Sequence, residues 1–330
     1  MIEFKEAIYS LDRKNIKKFL AEYELDLEED IEYTVIAVDD DEIIATGSLS
    51  GNVLKCFAVN DNYRGLGITN TIISMLIQYE HSIGNEHIFI FTKPKNKKIF
   101  TSLGFTAIAE VEDVVLLDSD VNILKKELSI LKSDKESGVI VMNANPLTLG
   151  HLKLIKKASE EVELLNIIMV LEDKSVFPFE DRYEIVKNEI SNLDNVVLHK
   201  GNEYIISKST FPTYFYKDKG IVVKSYSDLD LRIFGEYFVK TLNIKKRFVG
   251  TEEFDIVTKV YNEEMKKILP QYGVDVVEIK RFDVGGDIIS ASKVRKLLKD
   301  GKYEEAYKYL PQSTINYLKS DKGLKVIEKL

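Results

Sequence analysis

From Val139 onward, short apolar runs of β-prone residues alternate with helix-patterned stretches, and that alternation leaves few folds open to the chain. The strand candidates are residues 139–142, 164–171, 195–199, 221–224, 246–249 and 274–279. A strand that returns to its sheet through a helix pairs in parallel with its neighbour, because hairpins can only make antiparallel pairs. Residues 139–330 are therefore expected to form an α/β domain built on a parallel sheet.

The first part of the chain has a different pattern. Tyr33 to Val38 and Glu42 to Leu49 are β-prone runs around the acidic turn Asp39-Asp40-Asp41, which predicts a hairpin. A further strand is expected over 53–59. The turn Arg64-Gly65-Leu66-Gly67-Ile68-Thr69 then opens a helix whose apolar positions Ile68, Ile72, Ile73, Leu76 and Ile77 recur at helical spacing. A strand over 87–91 and a short helix ending at Leu103-Gly104-Phe105 follow. Val121, Leu124, Leu128 and Leu131 share one helical face, which predicts a helical linker or an interface helix. The expected domains are 1–118 and 139–330, joined by a linker over 119–138.

A chain of 330 residues, 45% hydrophobic and 30% charged, has material for two cores of this kind. It holds no apolar run near the ~20 residues that span a bilayer. The start, Met1-Ile2-Glu3-Phe4-Lys5-Glu6, lacks the layout of a signal peptide, so a cytoplasmic protein without membrane partners is expected. The single cysteine, Cys56, cannot form an internal disulfide, and no Cys/His group has zinc spacing, so no protein metal site is expected. A formal net charge of −8 argues against a nucleic-acid partner, whose phosphates call for a basic surface.

Two segments of the second half carry phosphate chemistry. The strand ending at Met142 runs into Asn143-Ala144-Asn145-Pro146-Leu147-Thr148-Leu149-Gly150-His151, and a helix follows. A glycine and a histidine thus sit at a helix start, where free N–H groups and the dipole favour an anion. His151 can donate to oxygens that gain charge during displacement at phosphorus. Farther on, Gly285-Gly286-Asp287-Ile288-Ile289-Ser290-Ala291-Ser292-Lys293-Val294-Arg295 places hydroxyls at a second helix start, with Ser290 or Ser292 as cap and Arg295 one turn inside. Ser290 and Ser292 could equally be ordinary caps. Lys174 and Arg182 fit either surface charges or phosphate contacts. His199 reads as structural, and Asp173 and Glu180 read as surface or capping residues rather than an acid–base pair.

Taken together, the two helix starts resemble the T/HxGH and ISxSxxR signatures of the HxGH nucleotidyltransferases, with Thr148 at the position of the first histidine. The stretches 173–182, 204–215 and 257–263 extend the resemblance to the citrate lyase ligase family. The resemblance implies a Rossmann-like HxGH domain that binds ATP with Mg²⁺ through Asn145, Thr148, Gly150, His151, Lys174, Arg182, Ser290, Ser292 and Arg295, with His151 catalytic. It also implies acetate as a substrate, and as partner the citrate lyase acyl carrier subunit bearing a phosphoribosyl-dephospho-CoA group. The reaction implied is ATP-dependent acetylation of that group's thiol through acetyl-adenylate, releasing AMP and pyrophosphate.

The first half resembles the GNAT acetyltransferases, α/β proteins in which an R/QxxGxG/A loop holds the CoA pyrophosphate. Arg64, Gly65, Leu66, Gly67, Ile68 and Thr69 match that loop, with Thr69 in place of the last Gly/Ala, and Ile99 to Phe105 resembles the family's late helix. Many GNAT enzymes carry a proton-donating tyrosine where this chain has Phe100, and a phenyl ring has no proton to give. The expected task of this domain is therefore to hold the CoA-like arm of the partner. Cys56 reads as a buried structural thiol, with a covalent acetyl-cysteine as the alternative. Two other functions fit the same motifs: a bifunctional adenylyltransferase and acetyltransferase acting on free small molecules, and a non-catalytic nucleotide-binding regulator.

Overall fold

In the computed structural model, residues 1–7, 10–171, 175–207, 220–252, 255–281, 283–284 and 287–330 are described. Lys174 and the stretch 208–215 lie outside them. The chain divides into two compact units, Met1–Lys125 and Lys126–Leu330.

The first unit is built on one mixed sheet. Its strands are β1 (Glu3–Glu6), β2 (Tyr33–Asp39), β3 (Glu42–Ser50), β4 (Val53–Val59), β5 (Phe89–Thr92), β6 (Thr106–Glu110) and β7 (Val115–Asp118), and they lie in the order β1-β2-β3-β4-β5-β7-β6. Helix α1 (Ser10–Ala21) packs Ile16, Phe19 and Leu20 on one face against Ile36, Val38 and Ala58. Helix α2 (Ile68–Ser82) fills the other face with Ile68, Ile72, Ile73 and Leu76. It makes the crossover that lets β4 and β5 pair in parallel. Helix α3 (Lys97–Thr101) carries Phe100 into the same core, edge-on to Phe57.

Two local features shape β4. It pairs with β5 only at Val53–Phe89 and Leu54–Ile90, and no ladder pairs follow. Its register with β3 also slips, so that Cys56 and Phe57 stand opposite Gly47, with Cys56 at φ 58°. A Cβ on Gly47 would come within 2.6 Å of both Ile72 and Phe57, so only glycine permits this approach.

Helix α4 (Val121–Leu131) contains the point at which the chain divides. The second unit then begins with β8 (Ser137–Met142), followed by α5 (Leu149–Glu160), β9 (Leu164–Met169), α6 (Phe179–Glu189) and β10 (Val196–Lys200). After these come α7 (Gly220–Ile233), α8 (Val239–Thr241), β11 (Ile244–Gly250), α9 (Ile256–Ile268) and β12 (Asp275–Ile279). The five strands run in the order β10-β9-β8-β11-β12, every neighbouring pair parallel. This is the parallel α/β sheet that the alternation predicts. One strand candidate is corrected: residues 221–224 lie in α7, not in a strand. The β-branched run Ile221-Val222-Val223 suits a strand locally, but tertiary packing overrides that propensity. Buried positions Ser227, Asp230, Leu231 and Phe234 continue one helical face, and Tyr261 Oη of α9 donates to Asp230 at 2.6 Å.

The core on one side of this sheet joins Ile140 and Met142 of β8, Phe248 of β11, Ile155 and Ala158 of α5, and Ile185 and Val186 of α6. The chain closes with α10 (Ala291–Lys299), α11 (Tyr303–Tyr307), α12 (Gln312–Leu318) and α13 (Asp321–Ile327), which pack around Phe177, Val294, Leu298 and Leu310. The sequence reading did not resolve the last three of these helices. They matter to the site because the backbone N–H of Leu149 donates to the Tyr309 carbonyl and Thr314 Oγ1 donates to Leu147 O, fixing the start of α5.

Candidate functional site

Strand order reverses direction on either side of β8, and in open parallel sheets the crevice at such a point, beyond the carboxyl ends of the strands, is where ligands bind. A cavity of about 720 Å³ occupies this place in the second unit. Its size is in the range of small-molecule and nucleotide sites. Asn145, Thr148, Gly150, His151, Ser290, Ser292 and Arg295 all line it. Residues far apart in the chain are thus brought to one space. Arg295 Nη1 donates to the backbone carbonyl of Asn145, and Ile289 lies beside Gly150, tying the two helix starts together.

At the start of α5, Thr148 is the cap: its Oγ1 accepts from the His151 N–H at 3.4 Å. In return, the Thr148 backbone N–H donates to His151 Nδ1 at 3.1 Å. A backbone amide can only donate, so Nδ1 carries the lone pair and the proton of the neutral ring sits on Nε2. Burial, helped by the charge of Arg281, pushes the imidazole down to about 4. At neutral pH the ring is therefore an uncharged Nε2–H donor. The Leu149 amide is taken by Tyr309 and the His151 amide by Thr148, while the Gly150 amide has no acceptor among the described residues. Gly150 does not owe its identity to crowding, since a Cβ there would meet Thr148 and Ile289 only at 3.5 and 3.6 Å. The bare backbone instead leaves an amide open to an approaching anion.

The depressed His151 value has a pH consequence. The folded protein holds fewer protons at this ring than the unfolded chain between pH 6.5 and 4, so stability from this group is complete above 6.5 and is lost as pH falls towards 4. The ceiling on that loss is about 3 kcal/mol at about 1.4 kcal/mol per unit. An NMR titration is expected to show the His151 ring neutral at pH 6, with the unfolding free energy falling below it; a midpoint near 6.5 would refute the assignment of the donor.

At the second helix start, Ser290 is the cap of α10, its Oγ accepting from the Lys293 N–H at 3.1 Å. Ser292 Oγ accepts from Arg295 Nη2 at 3.1 Å. The first amides of α10 have no intrahelical acceptor, and Arg295 adds a fixed charge beside them.

Arg182 is corrected. It is wholly buried, at 0% exposure, and does not line the cavity. Its Nε donates to Phe177 O at 3.1 Å and its Nη1 to both the carbonyl and the side-chain oxygen of Asn143 at 2.6 Å, while Val170 O takes further bonds. The guanidinium is spent on carbonyls and cannot also hold a phosphate. It clamps Asn143 immediately before Ala144, whose φ of 49° is unusual for a residue with a Cβ. His199 bonds Asn166 Oδ1 at 2.8 Å and Glu180 pairs with Lys200 at the surface, as structural residues do.

Several cavity residues escaped the sequence reading. Arg281 follows the end of β12, and its backbone N–H donates to Thr251 Oγ1 at 3.0 Å while its side chain pairs with Glu252. Arg247 rises from the middle of β11. A signal exists for Arg281, since charged residues just past the carboxyl end of a parallel strand face the ligand crevice, whereas Arg247 follows Lys245 and Lys246 and does not stand out in the sequence.

In the first unit, Gly65 and Gly67 have φ of 83° and 76°, which L side chains rarely adopt, and Gly67 caps α2. Ile68 is buried as the anchor of the turn, Leu66 is exposed, and Arg64 pairs with Asp61 at 2.6 Å. The amides of this turn lie at a helix start, beside a sheet whose β4 has separated from β5. Cys56 is not primed as a nucleophile. Burial, reinforced by Glu28, pushes its thiol up to about 12, and it donates to Asp26 O at 3.4 Å.

Comparison with known proteins gives a consistent picture. A family profile described as "Citrate lyase ligase C-terminal domain" matches residues 137–318, and one described as "Acetyltransferase (GNAT) domain" matches residues 5–115. The citrate (pro-3S)-lyase ligase of Haemophilus influenzae is 38% identical over 314 residues, covering 92% of this chain and 94% of the relative. That of Klebsiella pneumoniae is 36% identical over 315 residues, covering 93% and 92%. Among solved structures, Escherichia coli ElaA matches 36% of this chain and 100% of its own, at 13% identity and a TM-score of 0.33.

Proposed function

Since this chain belongs to the citrate lyase ligase family, we propose that it is an acid–thiol ligase that activates acetate as acetyl-adenylate and hands the acetyl group to the thiol of the citrate lyase acyl carrier's phosphoribosyl-dephospho-CoA arm. In the first step an acetate oxygen bonds to the α-phosphorus of ATP while the bond from that phosphorus to the bridging oxygen breaks, releasing pyrophosphate. In the second, the thiolate sulfur bonds to the acetyl carbon, the carbon–oxygen bond to AMP breaks, and the thiol proton passes to solvent. Charge builds on the phosphate oxygens in the first step. The observation that carries the reading is the convergence of the His151 Nε2–H, the open Gly150 amide and the Ser290–Arg295 helix start on one cavity.

Mg²⁺ enters with the nucleotide. Among the described residues no three His, Cys, Asp or Glu side chains form a group that could hold a metal ion, and this ion usually takes phosphate and water oxygens with one or two carboxylates at most. The first unit holds the arm: the amides at the start of α2 take its pyrophosphate, and the gap beside β4 takes its pantetheine portion. Phe100, packed in the core, offers no proton, which suits a holding role.

Pyrophosphate exchange tests the first step. Labelled pyrophosphate is expected to enter ATP only when acetate is present, before any carrier is added. Exchange without acetate would favour adenylyl transfer to another small molecule, and no exchange at all would leave the regulator reading.

A further inference from the structure

We infer that Arg247 is the anchor for the carboxylate of the acid substrate. The inference rests on the adenylate-forming reading above and names the residue that would hold its second substrate.

Arg247 sits where a charge is costly. It lies mid-strand in β11, in register with Val139 of β8 and Val276 of β12, and is 2% exposed. Phe248, next along the strand, faces the α5 and α6 core, so the Arg247 side chain emerges on the opposite face. There its guanidinium lies over the Phe234 ring, 4.4 Å from the centroid. Its Nε and Nη1 are buried, and no group among the described residues accepts from them. An arginine stays charged at any pH a protein meets, so the cost cannot be relieved by losing a proton. Arg182, equally buried, shows the structural alternative, with its donors spent on carbonyls.

Unlike Arg182, Arg247 lines the nucleotide cavity. The cavity's other arginines are engaged, Arg281 with Glu252 and Arg295 with Asn145 and Ser292. The surroundings of Arg247 fit a small carboxylate better than a phosphate. The cavity lining includes Val249, on the same face of β11 as Arg247, together with Tyr261 and Met265, and the Tyr261 hydroxyl is already spent on Asp230. A triphosphate needs several donors. A carboxylate needs a planar fork on one side and accepts an apolar wall around its tail.

The test uses the full-length protein and two variants, Arg247→Met and Arg247→Lys. In wild type, acetate added with AMP is expected to raise the melting temperature, and neither variant should show that rise. In pyrophosphate exchange, both variants should raise the KM for acetate about 30-fold or more, the lower end for truncating a buried charge pair. The KM for ATP should stay within about threefold, and the melting temperature of Arg247→Met without ligand should be unchanged or higher, because an unpaired buried charge has gone. An acetate KM close to wild type, a parallel rise in the ATP KM, or failure of both variants to fold would each overturn the inference. The two readings fail separately. Wild type that binds acetate through Arg247 but shows no exchange would sink the reaction and leave the anchor standing.

Discussion

Replacing His151 with alanine is expected to slow acetate-dependent pyrophosphate exchange by about 100- to 1,000-fold, the range for losing one preorganised donor to a developing oxyanion. In the proposed reaction the donor is the proton at Nε2, and the local fold puts it there: the Thr148 amide occupies Nδ1 and the low pKa keeps the ring neutral. The KM for ATP should change far less, because the Gly150 amide and the second helix start remain. Alanine also strands the Thr148 amide, part of a residue 2% exposed, at a cost of about 1–3 kcal/mol. His151→Asn separates the two effects. Its side-chain oxygen can accept from the Thr148 amide, so stability should largely return while the rate stays low. A variant that keeps its rate within tenfold of wild type would remove His151 from the chemistry.

The second large effect is on stability. Arg182→Met is expected to cost about 3–5 kcal/mol, read from chemical denaturation, because the carbonyls of Asn143, Val170 and Phe177 lose their buried donor together. Whole-protein stabilities run to about 5–15 kcal/mol, so this change removes a large share of the total. Arg182→Lys should recover only part of it, since an ammonium cannot span three carbonyls as the planar fork does. Nucleotide binding should weaken alongside, because Asn143 leads through Ala144 into the loop that carries Asn145 and Thr148. A loss below about 1 kcal/mol would mean that Arg182 is not the clamp it resembles.

These two residues mark what was legible in the sequence. The helix starts at His151 and Gly150 and at Ser290–Arg295 could be placed from the sequence because the pattern of strand, turn and helix start is local. Arg182 could not, because an arginine on a helix looks the same whether it faces solvent or reaches back across the sheet to a loop. Arg247 is hidden for the same reason: it follows Lys245 and Lys246 in β11, and nothing local separates the buried arginine from its more exposed neighbours. Residues 221–224 misled because β-branched residues are poor evidence against a helix once packing supplies the stability. The strand pattern of the second unit was readable because parallel strands are short, apolar and separated by helices. The helices after α10 carry weaker periodicity, yet Tyr309 and Thr314 brace the cap of α5 from there.

The proposed reaction requires a single nucleotide to be gripped by both helix starts at once. A crystal structure of the protein with a non-hydrolysable ATP analogue tests it most directly. His151 Nε2 and the Gly150 amide are expected within hydrogen-bond distance of one part of the phosphate chain, and the first amides of α10 with Arg295 against another part of the same chain. A nucleotide bound at only one of the two helix starts, with the other facing water, would contradict it.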